Sequence, residues 1–251
     1  MQRLLLALVL LAPVVATAAR ADEPCPVAKI APLALPRVRE AVARNEEVTI
    51  VAFGSSSTEG WRASNLAHSY PALLQAMLSG GLSSSHVAVL NRGIGGQDVA
   101  EEGIRVERDV ISVRPTLVIW QLGANGVMRH MPPELFKRLL IAGIHRLQEA
   151  KTDVVLMDNQ RAPAILASPE HARIDQVMAE IASATGVSLF SRGALMDQWR
   201  DQGYPYERFM SDDGVHHNDY GYRCVTETLA RAILDGLGRP TASPATVTAR
   251  R

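Results

Sequence analysis

Four polar clusters in the sequence hold side chains able to do chemistry. The first is Gly54-Ser55-Ser56-Ser57-Thr58-Glu59-Gly60, and the second Asn91-Arg92-Gly93-Ile94-Gly95-Gly96. The third is Gly123-Ala124-Asn125, and the fourth runs from Ser211 to Asn218 and contains Asp213 and His216. A serine hydroxyl is a poor nucleophile until an imidazole takes its proton. The imidazole must present the right nitrogen, which a carboxylate bonded to its other nitrogen enforces. Asp213 and His216 lie three residues apart across Gly214, so their side chains can meet within one turn. An attacked carbonyl then carries negative charge, and each hydrogen-bond donor aimed at it lowers the barrier by roughly 3 kcal/mol.

Such residues work only if the fold brings the clusters together. Val48 to Phe53 is a short apolar run rich in β-branched and aromatic residues, which suits a central strand covered on both faces. Further strands are expected at Val87–Leu90, Thr116–Leu122, Asp153–Met157 and Val187–Phe190. Helical spacing recurs between them: Leu35–Asn45, Ser69–Leu78 stopped by Gly80-Gly81, Gln97–Ile111, Glu134–Ala150, Glu170–Thr185, Arg192–Arg200 and Tyr220–Leu237. Strands alternating with helices over short links imply an α/β fold with one parallel sheet layered by helices. The first three clusters follow the first three strands, so all three must lie on one edge of that sheet, where ligands of open α/β folds collect.

The chain has 251 residues, enough for one α/β domain, and 26 basic residues balance 26 acidic ones. No net field favours nucleic acid or an anionic membrane. The N-terminus reads as an export signal: Met1-Gln2-Arg3, an apolar run from Leu4 to Ala16, then Ala19-Arg20-Ala21 with cleavage expected before Asp22. That run falls short of the roughly 20 residues needed to span a bilayer, so no stable membrane anchor is expected. The expected division is a cleaved signal at 1–21, one catalytic domain at 22–240 and a small-residue, disordered tail at 241–251, in a periplasmic or secreted protein. Two cysteines, Cys25 and Cys224, either pair in an oxidising compartment or are unrelated thiols; both readings stay open. Asp213, His216 and His217 lack further ligands at workable spacing, so neither metal nor cofactor is expected.

In its four clusters the sequence resembles the SGNH (GDSL-type) hydrolases. That family carries a Gly-Asp-Ser loop, a glycine after strand two, Gly-x-Asn after strand three, and Asp-x-x-His near the C-terminus. All four are matched in order, from Phe53 to His216. The resemblance implies a three-layer α/β/α, flavodoxin-like fold with a five-stranded parallel sheet, and the activity of a serine esterase. It implies Ser56 as nucleophile, His216 as base, Asp213 as the acid that orients it, and Ser56 N–H, Gly96 N–H and the Asn125 amide as oxyanion donors. Ser55 departs from the pattern, standing where the family usually has aspartate. The implied substrate is a small or polysaccharide ester, with an O-acetylated carbohydrate favoured by export.

Each residue alone has a plainer reading: a serine-rich turn, a surface or capping histidine, a capping asparagine, a glycine turn. Trp61 walls the pocket or joins the core. The remaining histidines, among them His68 and His130, are assigned no role. Two competing functions are a flavodoxin-like phosphate or flavin loop built from the hydroxyls of residues 55–58, and a degenerate hydrolase that only binds carbohydrate. Neither uses Asp213 and His216 as a relay.

Overall fold

In a computed structural model, described over residues 23–82 and 86–238, the chain forms a five-stranded parallel sheet between two layers of helices. The expected signal at 1–21 and the tail at 241–251 lie outside the described residues. The strands are β1 (Val48–Gly54), β2 (Val87–Gly93), β3 (Leu117–Gln121), β4 (Asp153–Met157) and β5 (Ser188–Phe190), in the order β2-β1-β3-β4-β5. That order reverses between β1 and β3, which is where doubly wound sheets open a crevice at their carboxyl ends. The register puts the ends level: Gly54 lies beside Gly93 on one side and beside Gln121 on the other. The first three sequence clusters therefore leave the sheet at one height.

The central strands β1, β3 and β4 are buried along nearly their whole length, as their unbroken apolar runs require. Helices α1 (Pro36–Ala43), α3 (Tyr70–Gly81) and α10 (Asp219–Gly236) cover one face. The other carries α4 (Val99–Asp109), α6 (Pro133–Glu149) and α8 (His171–Thr185). Short helices α2 (Ser56–Glu59), α5 (Ala124–Met128) and α7 (Pro163–Leu166) lie in the loops above the carboxyl ends, and α9 (Arg192–Asp201) follows β5.

Two local expectations are corrected. Gly80-Gly81 does not stop α3 ahead of itself: the helix runs through Gly81, and Leu82 N–H closes on Leu78 O at 2.8 Å. A Cβ on Gly81 would stand 2.9 Å from Leu234 Cδ1, so this glycine lets α3 approach α10 closely. The clusters after β1 and β3, expected as loops, each fold into a helical turn, α2 and α5. Cys25 and Cys224 are joined in a disulfide, with Cα atoms 5.2 Å apart at a sequence separation of 199. This bond ties the N-terminal strap to α10.

Candidate active site

The chain leaves β1 at Gly54, where a Cβ would lie 2.5 Å from Thr58 Oγ1 and 2.6 Å from Gln121 O. It then coils into α2, with Thr58 and Glu59 N–H groups donating to Ser55 O at 3.0 and 2.9 Å. This coil sorts the hydroxyls. Ser55, Ser57 and Thr58 are buried at 3%, 2% and 0% exposure. Ser55 N–H, Ser55 Oγ and Thr58 Oγ1 all donate to Gln121 Oε1, at 3.1, 3.2 and 3.0 Å. Gln121, the last residue of β3, thus anchors Ser55, the residue that stands where the resembled family usually has aspartate. Of the three serines, Ser56 alone meets an imidazole. Ser55 and Thr58 spend their hydroxyls on Gln121, so these two are not free to hold a phosphate.

His216 Nε2 lies 2.7 Å from Ser56 Oγ, and His216 Nδ1 lies 2.7 Å from Asp213 Oδ2. The two partners occupy opposite nitrogens, as a proton relay requires. The turn carrying this pair is closed by Ser211 N–H donating to His216 O at 2.7 Å, with Gly214 at φ +67°. Partial burial pushes the Asp213 carboxyl up, and hydrogen bonds outweigh it. His216 N–H, the Ser211 hydroxyl, the His216 ring and Val215 N–H together hold it well below the usual carboxylate range. Asp213 is therefore ionised wherever the imidazole is a useful base. The loop after β4 props the turn, with Ala164 N–H donating to Gly214 O at 3.2 Å and Gln160 Nε2 to Val215 O at 2.8 Å.

The expected oxyanion donors line the same cavity as Ser56 and His216, a space of about 530 Å³. Among the described residues neither Ser56 N–H nor Gly96 N–H donates to another protein group. Gly96 adopts φ +78°, a left-handed conformation that favours glycine. Asn125 Nδ2 donates to Gln97 O at 2.7 Å, which uses one of its two N–H bonds and leaves the second. Arg129 Nη2 holds Gly96 O at 2.8 Å, so α5 and the residue after it clamp both peptides of the Gly96-Gln97 turn.

Sequence reasoning missed a buried arginine that joins these loops. Arg105 of α4 is 5% exposed; its Nη2 donates to Gly54 O and its Nη1 to Arg92 O, both at 2.8 Å, and its Nε meets Gln97 Oε1. Its guanidinium also stands 4.3 Å over the Phe53 ring. One cation thereby pins the ends of β1 and β2 and the turn that Asn125 grips. On an amphipathic helix such an arginine looks like any surface residue. A serine–histidine–aspartate trio elsewhere, Ser64, His68 and Asp219, gathers at 2.6 to 2.8 Å. Its hydroxyl and carboxylate both contact Nδ1, so it cannot pass a proton from one to the other through the ring. Among the described residues no three His, Cys, Asp or Glu side chains gather as a metal site.

The sheet order and strand-end loops are those of an SGNH-type hydrolase fold, a class of carboxylic ester hydrolases. The chain belongs to the non-GDSL lipase-like family, whose model matches residues 21–239. Comparison with curated proteins finds no match. Among solved structures, the chain is similar to a two-domain esterase active on acetylated mannans, with TM-score 0.70 and 21% identity over 87% of this chain and 58% of that one. The chain thus spans little more than half of that esterase. An acetyl xylan esterase from Geobacillus stearothermophilus matches with TM-score 0.63 and 22% identity, over 78% of this chain and 97% of that one. A lipolytic protein of the G-D-S-L family from Desulfitobacterium hafniense matches with TM-score 0.63 and 19% identity, over 74% and 99%.

Proposed function

We propose that this protein is an exported serine esterase that removes short acyl groups, acetyl above all, from a carbohydrate through an acyl-enzyme. The observation that carries the reading is the pair of 2.7 Å contacts on opposite nitrogens of His216. Ser56 Oγ forms a bond to the ester carbonyl carbon as His216 Nε2 takes the hydroxyl proton. Negative charge moves onto the carbonyl oxygen, where Ser56 N–H, Gly96 N–H and Asn125 Nδ2 serve as donors. The intermediate collapses, the C–O bond to the alcohol breaks, and His216 returns its proton to the departing oxygen. Water, deprotonated by the same imidazole, then attacks the acyl-enzyme and frees the acid. Asp213 stays ionised and holds Nδ1–H throughout.

Support for an acetylated carbohydrate comes from the described substrates of the similar esterases. Export is supported by the composition of residues 1–21 and by the Cys25–Cys224 disulfide, since such bonds persist in oxidising compartments. We take residues 22–240 as one hydrolase domain.

The test combines chemistry and labelling. The mature protein should hydrolyse p-nitrophenyl acetate and release acetate from acetylated xylan or mannan. Ser56→Ala should lose at least a thousandfold in kcat, while Ser55→Ala and Ser57→Ala keep an intact nucleophile. A fluorophosphonate should add its mass at Ser56 on peptide mapping. An inert wild type, or a label on Ser55 or Ser57, would overturn the assignment. N-terminal sequencing of protein from the periplasm or medium should begin at Asp22.

A further inference from the structure

Beside the relay stands a large aromatic ring that the hydrolytic chemistry does not use. Trp61 is 54% exposed, whereas Trp120 and Trp199 are fully buried. Its ring centroid lies 6.0 Å from that of His216, and it lines the cavity that holds Ser56. An exposed indole beside the reacting groups offers a bound molecule a flat apolar face with a polar edge.

The ring is held rigidly. Trp61 Nε1 donates to Glu59 Oε2 at 2.9 Å, and the same oxygen accepts Gly95 N–H at 2.8 Å. The Trp61 backbone is fixed at both ends, its N–H on Ser56 O at 3.0 Å and its carbonyl on the Tyr222 hydroxyl at 2.7 Å. A Cβ on Gly95 would stand 3.2 Å from Trp61 Nε1 and 2.9 Å from Glu59 Oε2, so glycine there keeps the ring and the carboxylate in place. Among the described residues Glu59 Oε1 accepts no hydrogen bond, and Glu59 is one of the residues that line the cavity.

We propose that Trp61 and Glu59 form the subsite for the alcohol half of the ester, and that this half is a pyranose ring stacked on the indole with a hydroxyl bonded to Glu59 Oε1. This inference rests on the ester-hydrolase reading and deepens it. His216 must protonate the departing oxygen, so the alcohol has to lie beside the imidazole, where Trp61 is. An alkyl alcohol would gain from the indole face, yet it would take water from the half-buried Glu59 carboxylate without offering a hydrogen bond in return. A sugar satisfies both surfaces, with its C–H face on the ring and its hydroxyl on the carboxylate.

Two measurements test this. The first is the ratio of kcat/KM for an acetylated xylo-oligosaccharide to that for hexyl acetate. Trp61→Ala should lower the ratio about tenfold and Glu59→Gln about threefold, and Trp61→Phe should restore part of it. A ratio that stays put or rises would overturn the subsite. The second is calorimetric titration of Ser56→Ala with deacetylated xylo- and manno-oligosaccharides. Binding should weaken about tenfold on adding Trp61→Ala; equal binding with and without the indole, or no binding at all, rejects the stacking. Because the titration needs no turnover, it stands even if no ester is cleaved, an outcome that would sink the esterase reading instead.

Discussion

Arg62 Nε donates to Asp213 Oδ2 at 3.0 Å, on the oxygen that also meets His216 Nδ1. A cation and the imidazole therefore compete for one carboxylate oxygen. Asp212 is the other acid near Arg62, at 3.6 Å and largely exposed, and His217 behind the turn is neutral. Replacing Arg62 by Met removes the rival and leaves Asp213 Oδ2 wholly to the ring, which strengthens its hold on the imidazolium formed during reaction. kcat on p-nitrophenyl acetate should rise about two- to fivefold, the scale of a part-exposed ion pair. Arg62→Lys should stay near wild type, and an unchanged kcat in Arg62→Met would show that the pairing does not tune the relay.

Asn125→Ala removes the amide proton left over after the bond to Gln97 O. If that proton meets the oxyanion, kcat should fall by about a hundredfold or more while KM changes little, because the interaction forms only in the transition state. Steady-state kinetics on p-nitrophenyl acetate decide it, with circular dichroism to check that α5 persists.

Gln121→Leu keeps the bulk at the end of β3 but takes away the acceptor shared by Ser55 N–H, Ser55 Oγ and Thr58 Oγ1. Buried donors left without partners cost about 1–3 kcal/mol each, so the denaturant midpoint should drop clearly. Turnover should fall as well, since α2 carries Ser56. A variant as stable as wild type would mean that water replaces the amide.

His217 is buried, and burial pushes its imidazole down to about 3; the Arg192 charge lowers it further, while the bond to Phe209 O opposes both. The unfolded chain titrates near 6.5, so between about 3 and 6.5 it binds a proton that the folded chain refuses. The stability owed to this group is complete above about 6.5 and drains away as pH falls toward 3. Thermal melts across this range should show the gap between wild type and His217→Asn narrowing on acidification. A constant gap would contradict a neutral, buried ring.

The disulfide links cysteines at a sequence separation of 199, a closure worth on the order of 5 kcal/mol in the chain-entropy view. Cys25→Ser with Cys224→Ser should lower the melting temperature by several degrees, and reductant should do the same to the wild type but not to the double variant.

Much of the molecule was readable before folding because its signals are local. Apolar runs broken by glycine located the strands, and the clusters at their ends follow from parallel topology. Asp213 and His216 could be paired because one turn holds both. What escaped is what depends on long-range packing. Gln121 reads as the polar end of a strand until Ser55 and Thr58 fold back over it. Arg105 lies on the buried stripe of α4 with Val99, Glu102 and Val106, but its charge marks it as a surface residue until the two strand ends are seen above it. Helices α2 and α5 are too short for periodicity to register. The meeting of Cys25 with Cys224 is a property of the finished tertiary arrangement, with no local trace.

The closure of Ser211 on His216 makes acid and base a single cassette. Whatever shifts that turn, whether a substitution in the prop at Ala164 or the arrival of a bulky ligand, carries both groups together. The imidazole keeps its tautomer, and only the gap to the serine opens. Loss of activity from such a displacement would therefore be reversible by geometry alone, with nothing to reprotonate.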